Sequence, residues 1–459
     1  MRTIGAKHYS TAGEILNLPA APQLRLPLRG RFALIAAGAW ATAGGLLASP
    51  TEPHEVPLYA PLAGTVEFRQ GARFQEVLLN TSPAPGRDSA MPAPPQATEP
   101  QQFTELLRAH AIVGLGGAGF PTHRKLVPGL RLLIVNAVEC EPGVSADLAL
   151  LEARAEELVQ TLMRLVYTLE VQSSAIAIAP GNVQAAELLK AAGATNIRYA
   201  PAIYPAGSER QLLHSLTGIS LGPGEHPATH GIATINLGTL AAMSDMLDRS
   251  EPLTSRVVTV SGAGVATPGN YRIPFGTPLD FVAEQLGGGT TRALRVGGPL
   301  TGHWPGPGEV VGPKTIAIEM MAQRPEQDAL PCIRCGDCVT VCPEQLQPQR
   351  LLDVLPQDLA DTTIGRQARR LGLNACLLCG ACTAVCPSGI PLNNLLADAQ
   401  KVSRGQTEMQ AAASRAKARF ERHAAREQAR AVDKARRLRS RRKGADAASL
   451  IAKARSRSS

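Results

Sequence analysis

Eight of the nine cysteines in this 459-residue chain fall into two runs of one spacing, CIRCGDCVTVCP and CLLCGACTAVCP. The first holds Cys332, Cys335, Cys338 and Cys342; the second holds Cys376, Cys379, Cys382 and Cys386. Thiolates in the pattern C-x-x-C-x-x-C-x-x-x-C-P are the ligands of a paired iron–sulfur module. Three closely spaced sulfurs on a curling loop can wrap one cluster, while the fourth, on the helix that follows, reaches the other. This reading assigns Cys332, Cys335, Cys338 and Cys386 to one 4Fe–4S cluster, and Cys376, Cys379, Cys382 and Cys342 to the second. Gly336 and Gly380 leave room beside the metal, and Pro343 and Pro387 turn the chain away. Disulfides and paired zinc sites are the alternatives. Disulfides call for a secretory signal, and none is expected here. Zinc leaves the fourth cysteine and its proline unexplained. The ninth cysteine, Cys140, reads as a buried or cofactor-adjacent thiol rather than a ligand.

A second stretch could also do chemistry. GLGGAGFPTHRK, residues 114–125, contains G-x-G-x-x-G at Gly114, Gly116 and Gly119. The dinucleotide fingerprint needs a strand before this loop, but the preceding residues have helical spacing (Phe103, Leu106, Leu107, Ile112). The ordinary Rossmann turn is therefore rejected. What remains is a backbone without Cβ atoms that can approach a flat ring or a phosphate, with Lys125 as a charge; a plain glycine-rich turn is the alternative. Further on, an apolar strand candidate at residues 132–138 runs into NAVECEPG, residues 136–143. Ligands of layered α/β folds collect at the carboxyl ends of strands. Asn136, Glu139 and Glu141 stand at such an end and can hydrogen-bond a flavin ring or a ribose, against the simpler reading of a solvated loop.

The elements that must carry these groups follow from periodicity. Short alternating strands are expected between residues 24 and 79, and a Pro/Ala-rich linker over 82–100. Helix and strand then alternate: helix 101–113, strand 132–138, a long helix capped by Asp147 and running to 169, strand 175–179, helix 182–192, strand 197–199, helix 207–216 and strand 232–237. That order predicts a mainly parallel layered domain. Residues 257–287 read as a small α+β unit. The apolar stretch 32–48 is short for a bilayer, which needs about 20 apolar residues, and reads as soluble and buried. The formal charge of +9 is uneven: residues 401–459 hold 18 Lys and Arg against 5 Asp and Glu. The basic balance thus belongs to a tail, and nucleic-acid binding by the folded body is not indicated. The run RRLRSRRK, residues 436–443, reads as a solvated arm near anionic lipid or partners, with weak RNA binding as the alternative.

GLGGAGFPTHRK and NAVECEP together resemble the FMN- and NADH-binding subunit of respiratory complex I. With the two cysteine runs downstream, the chain resembles the C-subunit family of Rnf electron-transport complexes over most of its length. The resemblance implies a multidomain α/β and α+β fold: a lipoyl-like β barrel and linker (1–95), a Rossmann-like FMN/NADH domain (96–250), a β-grasp or SLBB domain (251–320), a ferredoxin-like double-cluster helical domain (321–400) and a basic Ala/Arg-rich tail (401–459). It implies cofactor roles for Gly114, Gly116, Gly117, Gly119, Phe120 and Lys125 in the covering loop, and for Asn136 and Glu139 at the flavin. Glu141 falls near the nucleotide, Tyr204, Gly207 and Glu209 in YPAGSER on the next cofactor loop, and Asn236 and Thr239 in INLGT on the flavin-phosphate side. Val138, Ser208 and Ile235 depart from the complex I pattern. The implied activity is oxidation of NADH at FMN, with single electrons leaving through two 4Fe–4S clusters. The implied partners are the other subunits of a membrane complex, with ferredoxin or flavodoxin as indirect partner, and the implied place is peripheral, on the cytoplasmic face of the bacterial inner membrane. A soluble NADH-dependent corrin reductase and a non-catalytic scaffold are the alternatives.

Overall fold

In the computed structural model, which describes residues 12–52, 55–71, 74–82, 99–222, 224–289, 291, 293–324, 328–355 and 362–457, the N-terminal part is built from short strands. These are β1 (Ile15–Asn17), β2 (Gln23–Pro27), β3 (Arg31–Ala33), β4 (Trp40–Ala41), β5 (Leu46–Pro50), β6 (Leu58–Tyr59), β7 (Gly64–Gln70) and β8 (Gln75–Thr81). One antiparallel sheet has the order β2-β8-β7-β4, and a second has the order β3-β5-β6. Inward residues of both, including Leu24, Leu26, Leu47, Ala48, Val66, Val77 and Leu79, form a single core. The expectation that residues 32–48 are buried needs correction. Ala41, Leu47 and Ala48 are inside, but Phe32, Leu34, Trp40 and Leu46 are 51%, 53%, 42% and 42% exposed. The cause is the two-residue period of a strand, which sends alternate side chains outward whatever their chemistry. Most of the expected linker 82–100 lies outside the described residues.

The chain then alternates as its pattern requires. Helix α1 (Pro100–Ala109) precedes the glycine loop, β9 (Leu132–Ala137) follows it, and α2 (Ala146–Thr168), β10 (Ser174–Ile178), α3 (Val183–Ala191), β11 (Ile197–Tyr199), α4 (Glu209–Thr217), β12 (Ile232–Asn236) and α5 (Leu237–Arg249) complete the domain. The four strands are all parallel, in the order β11-β10-β9-β12. Both faces of β9 are covered. Leu133 and Val135 enter one core with Leu158, Leu162, Leu240 and Met243, and Ile134 enters another with Leu212 and Leu213. That two-sided burial explains the unbroken apolar run of the strand. Asp147 does not cap α2 as expected. Ser145 is the N-cap residue, and the open N–H groups of Asp147 and Leu148 donate to the Glu139 carboxylate at 3.2 and 3.4 Å. A carboxylate at a helix start is matched to its positive end, and here the preceding loop supplies it.

A third, mixed sheet has the order β1-β14-β13-β16-β15, with β13 (Ser255–Ser261), β14 (Gly269–Pro274), β15 (Ala293–Val296) and β16 (Ala317–Met321). Helix α6 (Leu279–Leu286) packs Leu279, Val282 and Leu286 against Val258, Val260, Ile273 and Ile318. Strand β1 is a correction to the assignment of residues 1–95 to the barrel. It pairs parallel with β14, Ile15 opposite Asn270. Three residues are too few to show a period, and the open edge of β14 decides where they pair.

The cysteine region holds the short helices α7 (Asp337–Thr340), α8 (Pro348–Val354), α9 (Thr362–Arg370) and α10 (Ala381–Ala384), and the long α11 (Leu392–Arg455) closes the chain. The described residues up to Leu352, with Asn374–Asn394, form one compact unit; Asp353–Leu373 with the residues from Leu395 onward form a second. Within the second unit Gln400 Nε2 donates to the Leu373 carbonyl at 2.8 Å, and Arg369 Nη1 donates to Ser403 Oγ at 3.2 Å. Among the described residues no helix is long and apolar enough to cross a membrane.

Candidate functional site

Strand order reverses direction between β9 and β12, so the crevice at their carboxyl ends is the switch point where open parallel sheets take ligands. Asn136, the penultimate residue of β9, stands in register with Asn236, which ends β12. The glycine loop is laid over this end. Gly114 N donates to the Phe120 carbonyl at 2.8 Å and Gly119 N to the Gly114 carbonyl at 3.2 Å, which closes the loop on itself. Gly117 and Gly119 have φ of +97° and +65°, the left-handed region in which glycine alone is free of strain. A Cβ on Gly116 would meet the Asn236 Cβ at 3.3 Å, a tight contact that the bare backbone avoids. Thr239 Oγ1, in the first turn of α5, accepts from Leu115 N at 2.9 Å. Asn236 caps α5 by accepting from Gly238 N at 2.9 Å, and its Nδ2 donates to Asp147 Oδ2 at 2.5 Å. Asn136 donates to the Gly207 carbonyl at 2.8 Å and accepts from Val138 N at 3.0 Å. Lys125 pairs with Glu209 at 2.5 Å. Phe120 is 44% exposed on the loop, with the Arg124 guanidinium 5.3 Å from its ring centre.

The two glutamates of ECEP point elsewhere. Glu139 caps α2. Glu141 is buried, and its Oε1 accepts from the backbone N–H groups of Leu300 and Thr301 at 2.7 and 3.0 Å. The Tyr204 hydroxyl lies 3.1 Å from Glu141 Oε2 and 2.5 Å from the Cys379 carbonyl. Burial, then Glu141 and the neighbouring thiols, push the phenol far above its ordinary range, so it stays a proton donor. Glycines make this junction possible. A Cβ on Gly298 would fall 1.9 Å from Glu141 Cγ, and one on Gly380 would fall 1.9 Å from the Leu300 carbonyl oxygen. The loop after β15 is thus wedged between the carboxyl end of β9 and the second cysteine run. Arg210 Nη1 donates to the Ala375 carbonyl at 3.2 Å, and its Nη2 pairs with Glu344 at 3.2 Å. The sequence reading missed Leu300, Thr301 and Gly298. Their only signal is the turn cluster GGP, which does not say what the turn touches.

The cysteine runs fold as repeats. Arg334 and Leu378 have φ of +58° and +56°, and Gly336 and Gly380 have φ of +88° and +75°. Each run therefore curls twice before its helix, α7 or α10. Cys332, Cys335 and Cys338 line one hollow together with Cys386 from the other run. Cys382 lies close enough to Cys376, Cys379 and Cys342 that burial and these three thiols push it up to about 12. For Cys379, burial and the Cys376 and Cys342 thiols do so to about 11. A bound metal cluster takes thiolates, so its binding displaces these protons. Backbone N–H groups also reach two sulfurs, Leu346 N to Cys342 at 3.3 Å and Leu378 N to Cys376 at 3.4 Å, as sulfur-ligated centres require for charge balance. The donor set thus fits iron–sulfur chemistry. Cys140 stands beside Gly207, where a Cβ would meet its Sγ at 3.2 Å.

A switch-point crevice under a glycine loop, a mixed sheet wedged beside it and two crossed sets of four thiols define a flavin- and iron–sulfur-type electron-transfer protein. Family models match in the same order: the Nuo51 FMN-binding domain over residues 107–245, the SLBB domain over 257–303 and the 4Fe-4S dicluster domain over 324–390. The chain belongs to the C-subunit family of ion-translocating oxidoreductase complexes. It is 31% identical over 376 residues to that subunit of Rhodobacter capsulatus, covering 75% of this chain and 72% of the relative. It is 32% identical over 372 residues to that of Vibrio cholerae, again over 75% of this chain. It spans about half the length of the Vibrio cholerae subunit, 48%. A solved NAD+-reducing [NiFe]-hydrogenase aligns with 68% of this chain and 64% of its own at 22% identity and a TM-score of 0.47, a likeness too loose to bear on function.

Proposed function

We propose that this chain is the peripheral electron-input subunit of a membrane-bound, ion-translocating NADH:ferredoxin (or flavodoxin) oxidoreductase. The observation that carries the reading is the contact between the two cofactor regions: the Tyr204 hydroxyl lies between Glu141, in the loop after the switch-point strand, and the Cys379 carbonyl. FMN, when bound, supplies the link between two-electron hydride chemistry and one-electron cluster chemistry. The protein's own task is then positioning. Gly114, Gly116, Gly117 and Gly119 bring bare backbone to the crevice, Asn136, Asn236 and Thr239 hold its floor, and Phe120 offers an aromatic face at its mouth. Cys332, Cys335, Cys338 and Cys386 would hold one 4Fe–4S cluster, and Cys376, Cys379, Cys382 and Cys342 the other.

The domain boundaries given above, at 95, 250, 320 and 400, complete the reading, with β1 placed in the third sheet. The two N-terminal sheets around one core support a lipoyl-like barrel. The reading puts the chain on the cytoplasmic face of the membrane, bound to the other subunits of the complex. Its support is the set of thiolate ligands, which need a reducing compartment, and the basic residues of α11. Anaerobic purification followed by iron, sulfide and flavin analysis tests it: about eight iron atoms and one FMN per chain are expected, with NADH-dependent ferricyanide reduction. Bound zinc, or a chain that takes up no flavin, rejects it.

A further inference from the structure

The glycine loop carries an open set of donors. The backbone N–H groups of Gly116, Gly117, Ala118 and Phe120 have no acceptor among the described residues. Successive open N–H groups on a curled backbone make an anion-binding hollow. The cation that the sequence points to, Lys125, is already matched by Glu209 at 2.5 Å. A different lysine lies on the loop. The stem of Lys314 passes directly over Gly119, where a Cβ would meet Lys314 Cε at 2.9 Å and Cγ at 3.3 Å. Lys314 is exposed and forms no ion pair among the described residues.

Its backbone is held in place. Lys314 sits in the turn before β16, where Thr315 N donates to the Gly312 carbonyl at 3.0 Å and Gly312 N donates to Thr315 Oγ1 at 3.1 Å. The adjacent Pro313 carbonyl accepts from Arg256 Nη1 at 2.5 Å. Arg256 is buried on β13, 6% exposed, so the turn is fastened from within the third sheet.

Resting on the reading of this crevice as a nucleotide site, we propose that Lys314 is a phosphate-binding residue of the glycine-loop pocket, contributed by the mixed-sheet domain. The ligand chemistry is a nucleotide phosphate. Two sources fit: the monoester of the flavin and the pyrophosphate of the dinucleotide. A compact ammonium is suited to either as a point charge.

The test uses the full chain, loaded with FMN, and titrates ADP-ribose calorimetrically into the wild type, K314A, K314R and K125A. In parallel, FMN rebinding is followed after flavin removal. For K314A we expect about tenfold weaker binding in one of the two titrations, as for loss of one charge-assisted contact. K314R should recover most of it, and the thermal midpoint should not move. Loss in the ADP-ribose titration assigns the pyrophosphate; loss in the FMN titration assigns the flavin monoester. Wild-type affinities for K314A in both titrations, or a loss confined to K125A, overturn the proposal while leaving the pocket reading intact. A wild-type chain that binds neither ligand removes the pocket reading, and Lys314 with it.

Discussion

Glu141 concentrates three separate donors on one buried carboxylate, and its loss should be felt beyond the crevice. E141A takes the acceptor from the N–H groups of Leu300, which is half-buried, and Thr301, which is exposed, at about 0.5–1.5 kcal/mol each. E141Q keeps an oxygen in place and should cost less. Denaturant midpoints check this, and equal midpoints for E141A and wild type would show that the junction contributes nothing. The cysteines allow a sharper test at the same scale. Each single serine variant should lower the iron content from about eight to about four. C332S/C386S should lose no more than either single change, because both residues line one hollow. C332S/C382S should lose nearly all iron. The opposite result, with loss following the order of the runs, would mean that each run wraps its own cluster. The residue types and spacings already implied this crossing. The partners of Glu141 were not legible, because hydrogen bonds to backbone N–H groups 159 and 160 residues away leave no mark on composition.

Among the elements, α2 and α5 begin side by side at the crevice and share their caps. Glu139 closes the first, and Asn236 closes the second while also bonding Asp147. N236A should therefore cost about 1–2 kcal/mol, at the upper end for a cap residue, and weaken flavin retention at the same time. A loss of stability with full flavin retention would reduce Asn236 to a cap alone. The second cysteine loop depends on Gly380, which combines a φ of +75° with contact to the Leu300 carbonyl. G380A should lose the iron of the Cys376, Cys379, Cys382 and Cys342 set and spare the other. G336A, whose Cβ would meet nothing within 4 Å, should be milder although its φ is +88°. Iron content of the two variants separates steric contact from backbone strain. The alternation of α2, β10 and α3 was readable because burial on both sides of a parallel sheet writes apolar runs into the chain. Strand β1 was not, since so short a segment carries no period.

Across the whole molecule, the excess of positive charge belongs to the end of the chain, where α11 is exposed beyond Ser403 at nearly every described position. Removing residues after Arg404 keeps Gln400 and Ser403, which bond Leu373 and Arg369. On the function proposed above, the truncated chain should show wild-type iron, flavin and NADH oxidation. A loss of more than about half of any of these would show that the tail supports the catalytic body.

The order of the modules, the spacing of the eight cysteines and the glycine loop were all set locally. Close spacing along the chain decides whether sulfurs can surround a cluster, and absence of a Cβ decides whether backbone can approach a ligand. What stands around those groups was settled only by the tertiary fold. The wedge of residues 298–301 between Glu141 and Gly380, and the lysine that reaches the glycine loop from β16's approach turn, join segments that lie far apart in the chain. Such contacts depend on how separate sheets pack against one another, and no local period encodes that.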